Sequence, residues 1–273
     1  MVREHRPGEV GTGSPSGRAT QKNKPPVIMI HGGFCGPWAW DGFAARFRDA
    51  GYKVETPALR HHDSGKPPKA LATTSLADYA ADLKELIAKM KAPPILVGHS
   101  LGGLLAQMLA ARCDIAAAIL LAPSAPWGVP PSTLFEIGVA QGLMLRVGFW
   151  SMILEPNFDI AVAHSLDRFA KEDRRAIYEK FVPESGRAAF EVLHWGLDMG
   201  RASEVDVRKV NCPLLFLTGS EDRISPQGTV ERAAALYKDR AQFEVIPDMS
   251  HWLIGEPGWV QVCDRSLAWL ETI

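Results

Sequence analysis

From residue 25 onward, short runs that are apolar at every position alternate with longer segments whose apolar residues recur at helical spacing. Continuously apolar runs predict strands that are buried on both faces, which is typical of a parallel sheet covered by helices. The pattern therefore predicts an α/β fold with a mostly parallel central sheet flanked by helices. The predicted strands are Val27–Ile30, Tyr52–Glu55, Ile95–Val97, Ala117–Leu121, Pro213–Leu217 and Phe243–Ile246. The predicted helices are Trp38–Ala50, Leu76–Met90 with Ser75 as its cap, Leu101–Arg112, Gln227–Tyr237 and Gly258–Leu270.

This alternation stops after Pro123 and resumes at Pro213. Residues 126–202 begin with a proline-rich linker and continue as a helical pattern rich in Met, Phe and Trp, with no strand-like run. A helical insertion between two strands most economically covers the carboxyl edge of the sheet as a cap, and the alternative is a peripheral decoration. The sequence thus predicts a core of residues 25–125 and 203–273, a helical cap of residues 126–202, and a disordered extension of residues 1–24.

The composition of the chain limits the kinds of molecule that it is expected to bind. The chain has 30 basic and 31 acidic residues, so charge gives no basis for binding nucleic acid or an acidic membrane surface. No apolar stretch reaches membrane-spanning length, and the first 24 residues lack the apolar core of a secretory signal. The four cysteines show no metal-ligand spacing, which predicts reduced thiols in a cytoplasmic protein and no metal site. A monomer and a homodimer remain equally compatible with these observations.

The segment Pro94–Gly103 carries the clearest chemistry, because an apolar strand meets Gly98-His99-Ser100-Leu101-Gly102 and an apolar helix follows. Glycines on both sides of a serine allow a sharp strand-to-helix turn in which backbone packs against backbone. Such a turn exposes the Ser100 hydroxyl as a nucleophile at the edge of the sheet. Leu101 opens the helix, so its amide has no partner within the helix and can stabilise an oxyanion.

A second oxyanion amide is expected from the turn after the first strand, His31-Gly32-Gly33-Phe34. Small residues there let backbone N–H groups face the serine. We predict the amide of Gly33, with that of Phe34 as the alternative. The glycine spacing matches neither of the common nucleotide-binding patterns, so a phosphate site is not indicated.

A serine nucleophile needs a general base, and the base needs an orienting acid. His251 follows the strand Phe243–Ile246 after a short loop, which places it at the same sheet edge as Ser100 if the strands are parallel. Asp222 follows the preceding strand and reaches that edge as well. Its neighbour Glu221 is the competing acid, while the loop after Ala117–Leu121 holds no carboxylate.

With these motifs in place, the chain resembles the serine hydrolases of the α/β-hydrolase fold from His31 to His251. The resemblance rests on His31-Gly32-Gly33, Gly98–Gly103, Gly219-Ser220-Glu221-Asp222 and Ser250-His251. It implies Ser100 as nucleophile, His251 as base, Asp222 as its orienting acid, and the amides of Gly33 and Leu101 as the oxyanion hole. It also implies that the cap is inserted after the sixth strand of the family. The spacing from His31-Gly32 to Trp38 and Trp40 is similar to that of small esterases related to plant methyl-ester hydrolases and hydroxynitrile lyases.

Two positions depart from that family. An Arg-Gly-His-Gly stretch is usual after the second strand, whereas this chain has Arg60-His61-His62-Asp63-Ser64-Gly65. Adjacent side chains of that run rarely converge on one ion, so it does not predict zinc. The lyases place a lysine after the catalytic histidine, and the tryptophan found here, Trp252, argues against cyanohydrin cleavage. The His-Trp pair is similar to that of hydrolases that cleave carbon–carbon bonds in ring-fission products.

These observations predict an enzyme that hydrolyses small to medium apolar carboxylic esters, lactones included, through an acyl-enzyme and with no cofactor. A carbon–carbon or amide hydrolase with the same triad is the alternative, with haloperoxidase activity as a side reaction. The alternative that is not an enzyme is a hydrolase-like receptor that binds a ligand in its pocket. The substrate pocket is predicted to be lined by Phe34, His99, Trp127, Trp150, Trp195 and Trp252.

Overall fold

The computed structural model describes residues 24–63 and 65–273. Within them, a six-stranded sheet has the order β2-β1-β3-β4-β7-β8, and every neighbouring pair is parallel. Between β1 and β3 the strand order reverses direction, and such a switch point opens a crevice at the carboxyl edge of the sheet. The strands are β1 Val27–Ile30, β2 Val54–Glu55, β3 Ile95–His99, β4 Ala117–Leu121, β7 Leu214–Gly219 and β8 Ala241–Ile246.

Nine α-helices occur in the described residues, and six short 3₁₀ turns link or precede them. The helices are α1 Asp41–Asp49, α2 Leu76–Ala88, α3 Leu101–Ala110, α4 Leu134–Met144, α5 Phe158–His164, α6 Lys171–Tyr178, α7 Gly186–Leu193, α8 Gln227–Ala235 and α9 Trp259–Leu270. The 3₁₀ turns are Pro37–Trp40, Lys69–Thr73, Phe149–Ser151, Trp195–Leu197, Val207–Lys209 and Lys238–Arg240. Along the chain, strands and helices alternate except in the segment between β4 and β7.

Two apolar layers hold the sheet, one on each face. Alternate residues of a strand point to opposite faces, and accordingly Ile28 and Ile30 pack with α2, α3 and α8 while Val27 and Met29 pack with α1 and α9. All ten residues of α3 are buried, so the helix that begins after Ser100 is fixed by packing along its whole length. This rigid support positions the carboxyl ends of β1 and β3.

The segment between β4 and β7 contains α4, α5, α6 and α7 together with two strands, β5 Ile153–Leu154 and β6 Glu184–Ser185. These two strands pair antiparallel, with Leu154 opposite Glu184. The expectation of an insertion without strands is therefore corrected. Each strand is only two residues long, and Glu184-Ser185 is polar, so neither carries the alternation or the apolar run that identifies a strand in a sequence.

The sequence-based prediction of an α/β fold with a mostly parallel sheet and flanking helices is confirmed, and most elements agree within a few residues. The first helix differs in that it begins as a 3₁₀ turn with Pro37 at its start, and the second strand is shorter than predicted. Ser75 caps α2 as expected, in a reciprocal pair of hydrogen bonds with Asp78. The expected extension lies outside the described residues except for Lys24, whose Nζ lies 2.9 Å from Glu271.

Candidate active site

Ser100 lies at the junction between β3 and α3 with φ 52° and ψ −117°, a conformation that is costly for a residue with a side chain. The surrounding glycines make this turn possible. A Cβ on Gly98 would overlap the carbonyl oxygen of Gly102, and a Cβ on Gly102 would overlap that of Ile30. The strained turn is thus held by backbone packed against backbone, and it presents the serine hydroxyl to the adjoining cavity.

His251 joins Ser100 to Asp222. Its Nε2 lies 3.0 Å from Ser100 Oγ, and its Nδ1 lies 2.9 Å from Asp222 Oδ2. Because a carboxylate accepts hydrogen bonds, Nδ1 carries the proton and Nε2 is free to accept the proton of the serine. The histidine and the aspartate are both buried. The three side chains therefore form a continuous chain of hydrogen bonds.

Asp222 follows β7 and is fixed through its second carboxylate oxygen. Oδ1 accepts hydrogen bonds of 2.8 Å from the amides of Ile224 and Ser225. Its neighbour Glu221 is exposed and lies 3.8 Å from Arg168. Of the two acids considered from the sequence, Asp222 is the one that contacts the histidine.

Gly33 and Leu101 both line the cavity that contains Ser100. No hydrogen bond within the described residues uses either amide. His31 orients the first of them, because its Nδ1 donates to the carbonyl of Gly32 at 2.9 Å while its Nε2 accepts from the amide of Leu59 at 3.0 Å. In a trans peptide the carbonyl and the following N–H point in opposite directions. The Gly33 N–H is therefore directed away from His31.

Two buried histidines, His31 and His99, lie near the site but outside the hydrogen-bonded chain from Ser100 to Asp222. Burial lowers the pKa of His31 to about 4 and that of His99 to about 3, so both rings are neutral near pH 7. His99 Nε2 donates a 2.8 Å hydrogen bond to the carbonyl of His251. This contact ties the loop that carries His251 to β3, the strand that ends just before Ser100.

A cavity of about 700 Å³ extends from Ser100 and His251 beneath α4, α5 and α7. Among the residues predicted to form the pocket, Phe34, His99 and Trp252 line it. Trp252 stacks on Phe181 at 5.4 Å, which fixes one wall. A second cavity of about 490 Å³ adjoins the first. The residues that line both cavities are Ser124, Phe135, Val139, Val192, Leu193 and Ile224.

The other three tryptophans do not line this cavity, and a role for them in substrate binding stays a prediction. Trp127 packs edge-on against Trp195 and lies 4.3 Å beneath the Arg201 guanidinium. Trp195 lines the second cavity, and Trp150 packs on Phe190. Large aromatic rings in a helical insertion pack between its own helices when that buries more of their surface than a cavity wall would.

The loop that departs from the family pattern supplies one residue near the cavity. His62 is buried, and its Nε2 lies 3.2 Å from Glu184 of β6, while its Nδ1 donates to the carbonyl of Arg60. Tyr79 donates to the same carboxylate. Across residues 24–63 and 65–273, no group of three or more His, Cys, Asp or Glu side chains is arranged to hold a metal ion.

Two carboxylates near the site were not anticipated. Glu184 lines the cavity, and Glu256 accepts a 2.6 Å hydrogen bond from the amide of Ser250, next to His251. The partners of Glu184 lie 105 and 122 residues away along the chain, so no local pattern reveals it. Glu256 lies five residues after His251, and its position just before Pro257 and α9 is the one signal that the sequence offers.

The sequence profile of the alpha/beta hydrolase family matches residues 27–260. The chain is 25% identical over 239 residues to the sn-1-specific diacylglycerol lipase ABHD11 of Mus musculus, covering 84% of this chain and 76% of that protein. In structure it is similar to a methylesterase from Arabidopsis (TM-score 0.70, 15% identity, 92% of this chain and 100% of the other). It is likewise similar to the monoacylglycerol lipase of Paleococcus ferrophilus (TM-score 0.67, 21% identity, 90% and 95%). These similarities support the fold and a hydrolytic activity.

The described residues contain no helix that is both long and apolar enough to cross a lipid bilayer. All four cysteines are free, and Cys35 lines the cavity beside Phe34.

Proposed function

Because the chain belongs to the alpha/beta hydrolase family, we propose that it is a serine hydrolase that cleaves small to medium apolar carboxylic esters, lactones included. The observation that carries this proposal is the hydrogen-bonded chain from Ser100 through His251 to Asp222, with distances of 3.0 and 2.9 Å, at the base of an apolar cavity. A serine with such a base attacks carbonyl carbon.

In the proposed first step, His251 Nε2 removes the proton of Ser100 Oγ as the oxygen attacks the ester carbonyl. Asp222 keeps the proton on Nδ1 and stabilises the imidazolium that forms. His251 then returns its proton to the departing alcohol, which leaves the acyl group on Ser100. Water, activated by the same histidine, releases the carboxylic acid and restores the serine.

The oxyanion of each tetrahedral intermediate is proposed to lie between the amides of Gly33 and Leu101. Both residues line the cavity, and their amides have no hydrogen-bond partner among the described residues, which supports this assignment. The orientation of the Gly32–Gly33 peptide by His31 favours Gly33 over Phe34 as the first donor. Preorganised donors of this kind contribute the largest single part of many rate enhancements.

Residues 126–202 are proposed to act as a cap that forms the substrate pocket. The support for this is that the cavity is bounded by α4, α5 and α7, all of which lie in the insertion, with residues such as Val139, Ile160 and Val192. Its apolar lining suits the acyl chain of an ester. The four free thiols support the proposed cytoplasmic location.

Hydrolysis of p-nitrophenyl esters from acetate to decanoate, by the wild type and by Ser100→Ala, tests the proposal. We expect turnover by the wild type and a loss on the order of 10⁴- to 10⁶-fold in kcat for the variant, since one member of a triad carries nearly all of its effect. Equal, slow rates for both proteins would refute ester hydrolysis through Ser100. A thermal melt of the variant shows that it is folded.

A further inference from the structure

One buried charge faces the cavity that contains Ser100. Three charged residues line this cavity, and of them Arg146 and Glu155 are exposed whereas Glu184 is only 3% exposed. A buried carboxylate in an otherwise apolar pocket is costly unless every acceptor site finds a donor. The hydrogen-bond partners of Glu184 therefore have to account for its buried position.

The two oxygens of Glu184 are satisfied unequally. Oε1 accepts hydrogen bonds of 2.7 Å from the hydroxyl of Tyr79 and from the amide of Ser185. Oε2 accepts one bond, 3.2 Å long, from His62 Nε2. A carboxylate oxygen has room for two donors, so Oε2 has one acceptor site left.

This oxygen lies next to the turn that holds Gly32 and Gly33. A Cβ built on Gly33 would be 3.3 Å from Glu184 Oε2, and one built on Gly32 would be 3.2 Å from the Cβ of Ser100. The turn that supplies the proposed oxyanion amide thus lies between the carboxylate and the serine. Glu184 and Ser100 line the same cavity, so one substrate in that cavity can contact both residues.

The charges of Glu184 and His62 together favour an uncharged hydrogen-bond donor. Although burial acts in the opposite direction on each group, the attraction between them holds the pKa of Glu184 below its ordinary value and raises that of His62. Both ring nitrogens of His62 face acceptors, the Arg60 carbonyl and Glu184 Oε2, and the ring can donate to both only as an imidazolium. The pair of imidazolium and carboxylate then has a net charge near zero. An ammonium group would gain little from such a pair and would be repelled by His62, whereas a hydroxyl needs only the free acceptor site.

We propose that Glu184 Oε2 is a substrate subsite that accepts a hydrogen bond from a hydroxyl group, so that the preferred substrates are hydroxylated apolar esters. This inference rests on the proposed ester hydrolysis and specifies its substrate class. It adds one polar contact to the apolar pocket that is expected from the sequence. An ester without the hydroxyl places methylene groups against Oε2 and leaves a buried acceptor without a partner.

Two matched ester pairs test the subsite on either side of the scissile bond. The acyl side is probed by methyl 3-hydroxyoctanoate against methyl octanoate. The alcohol side is probed by 2-hydroxyethyl octanoate against propyl octanoate, which has the same number of heavy atoms. Release of acid is followed by titration at constant pH, and each ratio of kcat/KM is divided by the ratio for hydroxide-catalysed hydrolysis. We expect the wild type to prefer the hydroxylated ester of at least one pair by about 10- to 100-fold.

Glu184→Gln should reduce that preference about tenfold or more, because an amide loses the charge and directs an N–H group toward His62 or the cavity. The matched control is Glu191→Gln. Glu191 is a buried carboxylate of the same insertion that binds the amide of Leu76 and does not line this cavity. We expect this variant to retain the wild-type preference. If Glu184→Gln does not fold, Glu184→Asp withdraws the carboxylate by one methylene and should weaken the preference in the same direction.

The outcomes separate the two proposals. Hydrolysis of all four esters by the wild type without preference for a hydroxyl overturns the subsite and leaves ester hydrolysis standing. A preference that persists unchanged in folded Glu184→Gln also overturns it. If neither these esters nor the p-nitrophenyl series is hydrolysed, the proposed function fails, and the subsite that rests on it fails too.

Discussion

The amide of Ser250 donates a hydrogen bond of 2.6 Å to Oε1 of Glu256, and the residue after Ser250 is His251. The Ser250 hydroxyl donates to Asp167 at 2.7 Å, so two carboxylates hold the residue that precedes the proposed base. Burial, together with the nearby charge of Asp167, raises the pKa of Glu256 to about 7 although the Ser250 amide lowers it. The other oxygen, Oε2, is buried and has no hydrogen-bond partner among the described residues. This carboxyl is therefore best accommodated in its neutral form.

The first prediction concerns Glu256→Gln and the pH dependence of stability. Between the ordinary carboxyl pKa of about 4.5 and a folded value of about 7, the folded state retains a proton that the unfolded state releases. The wild type therefore loses stability as the pH rises through this range, whereas glutamine stays neutral and still accepts from Ser250. Urea unfolding at pH 5, 6, 7 and 8 should show the variant gaining on the order of 2 kcal/mol relative to the wild type.

The control for this experiment is Glu231→Gln, an exposed carboxyl of α8. Its stability curve should run parallel to that of the wild type over the whole range. If the stability curve of Glu256→Gln also runs parallel to that of the wild type, a raised pKa of Glu256 is contradicted. Because each variant is compared with the wild type, the contributions of all titrating groups that the two proteins have in common cancel.

The second prediction concerns Asp222→Asn. Asparagine fits the same space, but it no longer holds the proton on His251 Nδ1, so the base adopts the wrong tautomer. We expect kcat for an ester that the wild type hydrolyses to fall on the order of 10⁴-fold, while the variant remains folded. The matched control is Glu221→Gln, the exposed neighbour and competing acid, which should retain wild-type kcat. A larger loss for Glu221→Gln than for Asp222→Asn would reassign the orienting acid.

The proximity of Ser100, Asp222 and His251 could be predicted because it depends on local sequence patterns and on the order of the strands. Continuous apolar runs identify parallel strands, and the carboxyl ends of parallel strands meet at one edge, which brings Ser100, Asp222 and His251 together. The glycines around Ser100 identify a turn in which a Cβ at position 98 or 102 would overlap the backbone. These steps require only the order of the elements and no knowledge of side-chain packing.

The pocket could not be predicted in the same way. An aromatic-rich insertion indicates that rings will be buried, but it does not say which faces meet one another and which face the serine. Trp195 packs against Trp127, while Trp252, fixed by its place next to His251, does line the cavity. Glu184 was missed for a related reason, since its donors come from α2 and from the loop after β2, elements that only the tertiary fold brings beside β6.

The third prediction compares two glycines in different surroundings. A Cβ on Gly102 would overlap the backbone of β1, which is rigid, so Gly102→Ala should destabilise the protein by several kcal/mol or prevent its folding. A Cβ on Gly138 of α4 meets nothing within 4 Å, so Gly138→Ala should stabilise the protein by about 0.5–1 kcal/mol through helix propensity. Thermal and urea unfolding measure both variants. Opposite signs are expected, and a neutral Gly102→Ala would mean that the turn is looser than the structure indicates.

The last prediction asks which cavity receives the acyl chain. Ala189 of α7 is partly buried and lines the cavity with Ser100, whereas Ala140 of α4 lines the adjoining cavity only. A phenylalanine at position 189 would occupy part of the 700 Å³ space, and Ala189→Phe should move the optimum of the p-nitrophenyl ester series to shorter chains. If the acyl chain of the substrate lies in the cavity that contains Ser100, Ala140→Phe leaves the chain-length optimum unchanged. A shift with Ala140→Phe alone would instead place the acyl chain in the second cavity, beyond Phe135.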